Sequence, residues 1–150
     1  MPKNADPWYD PTTGKFWREA GCLTRTGYRC IWFQGKQHLE HRVAWFLHYG
    51  EWPVEGAFVD HINGNRSDNR ITNLRLATPA QNSANSKKSA RNKSGFKGVS
   101  WNEQRRSWQA IIKFDKTYKV LGYFATREAA ASVYDKAALQ YHGEFARLDL

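Results

Sequence analysis

Phe58-Val59-Asp60-His61-Ile62, the polar run Asn63-Gly64-Asn65, then Ile71-Thr72-Asn73-Leu74-Arg75-Leu76 and Thr78-Pro79-Ala80-Gln81-Asn82 decide how this chain of 150 residues is read. Phe58 to Ile62 is short and apolar at alternate positions, the pattern of a strand. Asn63-Gly64-Asn65 is a strong turn signal. Ile71 to Leu76 reads as a second short strand. Thr78 is a good N-cap, Pro79 at the first helical position has no donor to leave unpaired, and Gln81 completes a capping box. The order is therefore strand, polar loop, strand, helix.

The polar residues held by that frame suit phosphodiester hydrolysis. Such a reaction needs a cation to polarise the phosphate and a base to take a proton from water. Asp60 is a hard oxygen ligand suited to Mg²⁺ or Mn²⁺. His61 is the natural base, because an ordinary imidazole pKa of ~6.5 leaves it mostly neutral near neutral pH. Neighbouring residues on a regular strand point to opposite faces. Asp60 and His61 are thus expected at a bent strand end. Asn82, in the first turn of the capped helix, can offer a neutral oxygen. Asn73, on the second strand, is expected to tie the loop together and orient His61.

Val59-Asp60-His61-Ile62-Asn63-Gly64, Asp68-Asn69-Arg70, Asn73-Leu74-Arg75 and Gln81-Asn82 resemble the HNH motif of phage and intron homing endonucleases. The resemblance runs from about Gly27 to Asn85 and implies a ββα-metal fold over a core of residues 58–88. It implies Asp60 and Asn82 as ligands of one metal ion, His61 as general base and Asn73 as the structural Asn. His41-Arg42, followed by Trp45, match a further recurrent segment of that family, an accessory pair without an assigned role. The last motif position is often His in the family. Asn82 there favours hard oxygen ligation over zinc.

Upstream, residues 1–13 are polar and Pro-containing and are expected to be loose. Lys15 to Arg18 and Tyr28 to Phe33 read as strands, with Gly21, Gly27 and Gly35 marking hairpins. Leu39, Val43, Phe46 and Leu47 repeat at helical spacing, so Leu39 to Tyr49 is a helix stopped by Gly50. Two cysteines, Cys22 and Cys30, make no disulfide framework and are expected to be free thiols. With His38 and His41 they have zinc-ligand chemistry but lack the close Cys pair of most zinc modules.

Downstream, Ser86 to Ser94 is Ser-, Lys-, Asn- and Arg-rich, and residues 87–94 read as a basic linker between a domain over 1–86 and one over 95–150. Phe96 to Trp101, Trp108 to Phe114 and Tyr118 to Phe124 read as three strands. Thr126 caps a helix reaching about His142, with Ala129, Ala130, Val133, Ala137 and Tyr141 as its apolar stripe. Ser94-Gly95-Phe96-Lys97-Gly98-Val99-Ser100-Trp101, Trp108 to Ile112, Leu121-Gly122-Tyr123-Phe124 and the run from Ala129 to Ala146 resemble the APETALA-type DNA-binding domain of plant ethylene-response factors. That resemblance implies a three-stranded sheet laid in the major groove with the helix behind it. Trp108, Ala110, Ile112 and Phe114 would face the helix. Gln109, Ile111 and Lys113, with Lys97, Ser100, Asn102, Tyr118 and Val120, would face DNA. Arg105, Arg106 and Lys119 are expected on phosphates, which position rather than specify.

Charge points the same way. The chain carries 23 Lys and Arg against 14 Asp and Glu, a net +9. Between Lys87 and Lys119, ten basic residues face only Glu103 and Asp115, so a local +8 sits in about a fifth of the chain. Lys87, Lys88, Arg91 and Lys93 of the linker, with Arg70 and Arg75, join the expected DNA contacts. No apolar run is long enough to span a membrane, no apolar signal core opens the chain, and no basic amphipathic helix stands out. The expected partner is double-stranded DNA, inside a cell (a host cell if phage-encoded), with no membrane and no small-molecule substrate. One centre per chain nicks unless the protein dimerises. The expectation is an α+β protein: a ββα-metal nuclease domain with N-terminal hairpins, then a three-stranded antiparallel sheet on one helix. The alternative is a sequence-specific DNA-binding regulator with an inactive nuclease half.

Overall fold

The computed structural model describes residues 8–16, 22–114 and 116–148. Trp17, Arg18, Gly21 and Asp115, which figure in the expectations above, lie outside them. By compactness the chain divides into two units, Met1–Thr78 and Pro79–Leu150.

The first unit is built from hairpins around one helix. β1 (Tyr9–Asp10) pairs antiparallel with β2 (Lys15–Phe16). Asp10 shapes the turn between them, its carboxylate accepting from the Thr12 N–H at 2.9 Å and from Thr13 Oγ1 at 2.7 Å. β3 (Cys30–Phe33) pairs with β4 (Lys36–Leu39) through Gln34-Gly35, both at positive φ, the turn that matches strand twist. α1 (Glu40–Tyr49) follows directly and ends at Gly50, whose left-handed φ of 78° lets its N–H return to the Phe46 carbonyl. β5 (Phe58–His61) and β6 (Leu74–Ala77) form a third hairpin in the register Val59↔Leu76, Asp60↔Arg75, His61↔Leu74. α1 buries Val43 against Ile31 and Phe33, and Ala44 against Tyr9, Val59 and Leu74.

Two expectations are corrected here. Residues 1–7 lie outside the described residues, but from Tyr9 onward the expected loose segment is held: the Tyr9 ring packs in the core and its hydroxyl donates to the Asn69 carbonyl at 2.6 Å. The second strand begins at Leu74. Ile71–Asn73 is a 3-10 turn, because the Asn73 N–H closes on the Arg70 carbonyl and the Ile71 N–H donates to Pro11.

The second unit opens with α2 (Pro79–Asn85). Its sheet runs β7 (Val99–Asn102), β8 (Ser107–Phe114), β9 (Thr117–Phe124), all antiparallel, and α3 (Arg127–His142) packs on one face. The expected three strands and helix are all present. Thr126 caps α3, its side chain accepting from the Ala129 N–H. The buried stripe is Ala130, Ala131, Tyr134, Ala137 and Ala138 rather than the one drawn through Ala129 and Val133. Small side chains let the helix sit close on Val99, Ala110 and Ile112. α2 packs on α3 and on the turn Gly143–Phe145, so the boundary expected across residues 87–94 falls earlier, between Thr78 and Pro79. Ser94 is itself buried, 2.8 Å from the Val99 carbonyl, which knits the end of the basic segment into this unit.

Candidate active site

The loop from Ile62 to Asn73 is held by side chains rather than by regular structure. Asn73 Oδ1 accepts from the Asn63 N–H at 3.0 Å. Its Nδ2 lies 3.1 Å from Asn63 Oδ1 and donates to the Asp68 carbonyl at 2.7 Å. The Asn63 amide donates in turn to Asp68 at 2.8 Å, and Arg70 pairs with the same carboxylate at 2.6 Å. Those bonds, the Arg70 guanidinium first, hold the Asp68 carboxyl down at about 2. Polar residues at this spacing can close a loop because each amide both donates and accepts.

Asp60 and His61 sit at the end of β5, both buried despite being neighbours on a strand. Asp60 turns to its cross-strand neighbour, accepting from Arg75 Nε at 3.1 Å, with the two side chains 8% and 12% exposed. Arg75 was expected on DNA. Its guanidinium instead balances a buried carboxylate, as it must where a lone charge would be costly. His61 turns the other way, and its Nε2 lies 3.0 Å from Asn69 Oδ1. Asn69 Nδ2 donates to Glu40 Oε2 at 3.1 Å, and Glu40 is paired with Arg29. His41 stands edge-on to His61, ring centres 5.0 Å apart, with Tyr28 5.1 Å from His41. Arg66 from the loop lies over the Tyr28 ring.

Burial sets the electrostatics. It pushes the His61 pKa below the usual imidazole value, opposed by the bond to Asn69 and the charge of Asp60. It pushes His41 down to about 3, so His41 is a neutral wall beside His61 at any working pH. Burial also raises Glu40, against the pull of Arg29. Asp60, His61, Asn73 and His41 thus gather in the first unit, while Asn82 lies half-buried on α2 of the second. Arg42 reaches toward the Ala57 carbonyl. Asn69, Glu40, Arg29 and Tyr28 escaped the sequence reading. Asn69 lies inside the quoted Asp68-Asn69-Arg70, but nothing local told that it faces His61.

As for metal, the described residues contain no group of three or more His, Cys, Asp and Glu side chains gathered to hold an ion. The Asp60 carboxylate, buried at the end of β5, is a hard oxygen donor of the kind suited to a cation that keeps waters. Cys22 is exposed and Cys30 buried, both free.

In the second unit, strand pairing sorts the expected DNA residues by face. Ser100, Gln109 and Tyr123 lie across from one another on the side away from α3, as do Ile111 with Val120 and Lys113 with Tyr118. Tyr118 is 74% exposed, and Arg105 stacks over Tyr123 at 4.4 Å. Ala110 and Ile112 are fully buried beneath α3, Trp108 packs beside them, and Phe114 at the rim meets Tyr141. Trp101 pairs with Trp108 on this side, ring centres 5.3 Å apart. Asn102 accepts from the Arg105 N–H and shapes its turn, at whose end Arg106 takes a positive φ. Two lysines are engaged elsewhere. Lys97 donates to the Ala84 carbonyl and, at 2.9 Å, to Ser86 O, at the C-terminal end of α2. Lys119 donates to Tyr141 Oη at 2.7 Å. Lys87, Lys88, Arg91 and Lys93 are all exposed, with Lys88 donating to the Gly95 carbonyl. No helix among the described residues is long and apolar enough to cross a membrane.

Comparison with known proteins shows what the chain is similar to. Residues 38–84 match the family model of HNH endonucleases. Protein 3.8 of Escherichia phage T7 is 32% identical over 123 residues, which cover 82% of this chain and 98% of that protein. The uncharacterized HNH endonuclease L560 of Acanthamoeba polyphaga mimivirus is 36% identical over 124 residues, 83% of this chain but 63% of the longer viral protein. A solved structure of the HNH homing endonuclease I-HmuI overlaps 91% of this chain and 85% of its own, at 20% identity and a TM-score of 0.38. The chain belongs to the same family as T7 protein 3.8, and its residues 38–84, which run through α1, the β5–β6 hairpin and most of α2, match the HNH endonuclease model.

Proposed function

We propose that the chain hydrolyses phosphodiester bonds of double-stranded DNA with one divalent cation, Mg²⁺ or Mn²⁺, held by Asp60 and Asn82. The observation that carries this reading is His61: an imidazole buried at a strand end, next to a carboxylate, with its pKa held low and one ring nitrogen bonded to Asn69. Such a group is neutral at working pH and able to take a proton from water. The cation, when bound, supplies charge against the phosphate and the leaving oxygen. Asn73 acts through the loop it ties, which keeps His61 and Asp60 in place.

The sheet face carrying Ser100, Gln109, Lys113, Tyr118 and Tyr123 is the proposed reading surface, in the manner of an APETALA-type domain. Arg105, Arg106 and the basic residues 87–93 are proposed to lie on phosphates, with Arg70 of the first unit. Lys97 and Arg75 support the protein instead, the one on α2 and the other on Asp60. Action is proposed inside the host cell.

Supercoiled plasmid incubated with protein and Mg²⁺ tests the reading. His61→Ala should slow cutting by ~10²–10⁴-fold, the usual loss of a general base. Asp60→Asn, which keeps a partner for Arg75, should abolish cutting yet leave DNA binding. Wild-type cutting rates in either variant would refute the role given to that residue, and a wild-type protein that binds DNA with Mg²⁺ present but never cuts it would leave only a DNA-binding regulator.

A further inference from the structure

His61 stands at the end of a buried chain of side chains. Arg29 Nε lies 3.2 and 3.1 Å from the two Glu40 oxygens. Glu40 Oε2 accepts from Asn69 Nδ2, and Asn69 Oδ1 faces His61 Nε2. Glu40, Asn69 and His61 are 4%, 2% and 3% exposed, so water does not compete for these bonds. A carboxylate can only accept. The Asn69 amide must therefore turn its NH₂ to Glu40 and its oxygen to His61. That oxygen can only accept as well, so Nε2 must carry the hydrogen. A neutral imidazole has one N–H, and the lone pair is then on Nδ1.

The backbone at Asn69 is fixed independently. Its carbonyl accepts from Tyr9 Oη, and Gly14 packs so closely that a Cβ there would fall 2.4 Å from Arg70 N. Asn69 cannot slide away from His61 without dismantling the β1–β2 hairpin.

We propose that Asn69, oriented by Glu40, is the positioning residue that locks His61 as the Nε2–H tautomer and makes Nδ1 the nitrogen that takes the proton. This rests on His61 being the base. As water attacks, its oxygen bonds to phosphorus, its proton passes to Nδ1, and the bond from phosphorus to the leaving oxygen breaks. The leaving oxygen takes a proton from solvent, and Nδ1 later returns its own. The imidazolium formed in between is stabilised by the Asn69 oxygen and, through it, by Glu40.

The test uses the full chain with ¹⁵N-labelled histidine. Long-range ¹H–¹⁵N ring spectra near neutral pH, read without turnover, should show His61 as the Nε2–H form. Asn69→Leu should mix the tautomers and lower kcat by about tenfold or more with KM for DNA unchanged, as loss of an orienting partner does. Glu40→Gln, close to isosteric, frees the amide orientation and should also mix them. The double variant Glu40→Gln with Asn69→Asp rebuilds the chain with roles exchanged, since Gln donates and Asp accepts, and should restore both tautomer and rate relative to Asn69→Leu. An Nδ1–H form in the wild type overturns the proposal, as does an Asn69→Leu variant with unchanged tautomer and kcat while His61→Ala is inactive. If His61→Ala cuts normally while the tautomer is as stated, the base assignment has failed and the lock itself stands.

Discussion

His41 shows what burial does to a single titratable side chain in this protein. It faces His61, Tyr28 and the Arg42 on its own helix, and its pKa lies at about 3. In the unfolded chain it binds a proton near 6.5, so the unfolded state gains protons first as pH falls. Stability is then full above pH 6.5 and is lost progressively toward pH 3, at ~1.4 kcal/mol per pH unit from this residue alone. His61, shifted the same way, adds to the loss. Urea unfolding between pH 7.5 and 5 should show that decline, and His41→Gln should flatten it by about one proton. A wild-type stability that stays level over this range would mean His41 is not buried neutral. Tyr9 is a second residue whose partner is distant in sequence. Tyr9→Phe should cost ~0.5–1.5 kcal/mol by removing one buried hydrogen bond, measured by thermal unfolding.

Among elements, the three-stranded sheet and α3 followed closely from local signals. Strand alternation put Ala110 and Ile112 inward, and Thr126 and Gly143 bracketed the helix. The turn of the stripe toward Ala131, Tyr134 and Ala138 came from how α3 meets the sheet, which helical spacing alone does not settle. Gly98 marks that meeting. At φ +68° a Cβ would lie 2.1 Å from the Tyr134 ring and 2.7 Å from the Ile111 carbonyl oxygen. Gly98→Ala should therefore destabilise by ~2 kcal/mol or more, from left-handed strain and overpacking together. Thr126→Ala should cost ~1 kcal/mol, the ordinary value of an N-cap. Equal melting temperatures for both variants would contradict this ranking. In the first unit, the second strand of the β5–β6 hairpin was read three residues too early. Ile71 and Leu74 look strand-like in sequence, but the backbone of Ile71–Asn73 is turned by bonds to Pro11 and Arg70.

For the whole molecule, the net charge of +9 predicts DNA affinity that falls steeply with salt. Each phosphate contact contributes about 0.9 to the log–log slope. Lys113→Gln, on the outer sheet face, should lower that slope by about one if its ammonium meets a phosphate. Lys97→Gln should leave the slope unchanged, because its ammonium already serves the α2 carbonyls, and should instead loosen the protein. Filter binding at several salt concentrations separates the two.

The sequence by itself determined the kinds of chemistry present and the elements that carry them. Asp60-His61 before an Asn-Gly turn, a Thr-Pro helix start and an alternating three-strand pattern are all local, and local propensity writes them directly. Only the tertiary structure decided which groups meet. Asn69 reaches Glu40 across 29 residues and Tyr9 across 60, and Asp60 finds Arg75 through strand register. Those pairings are chosen because a buried charge or amide must have a partner, and chain folding, not sequence proximity, supplies it.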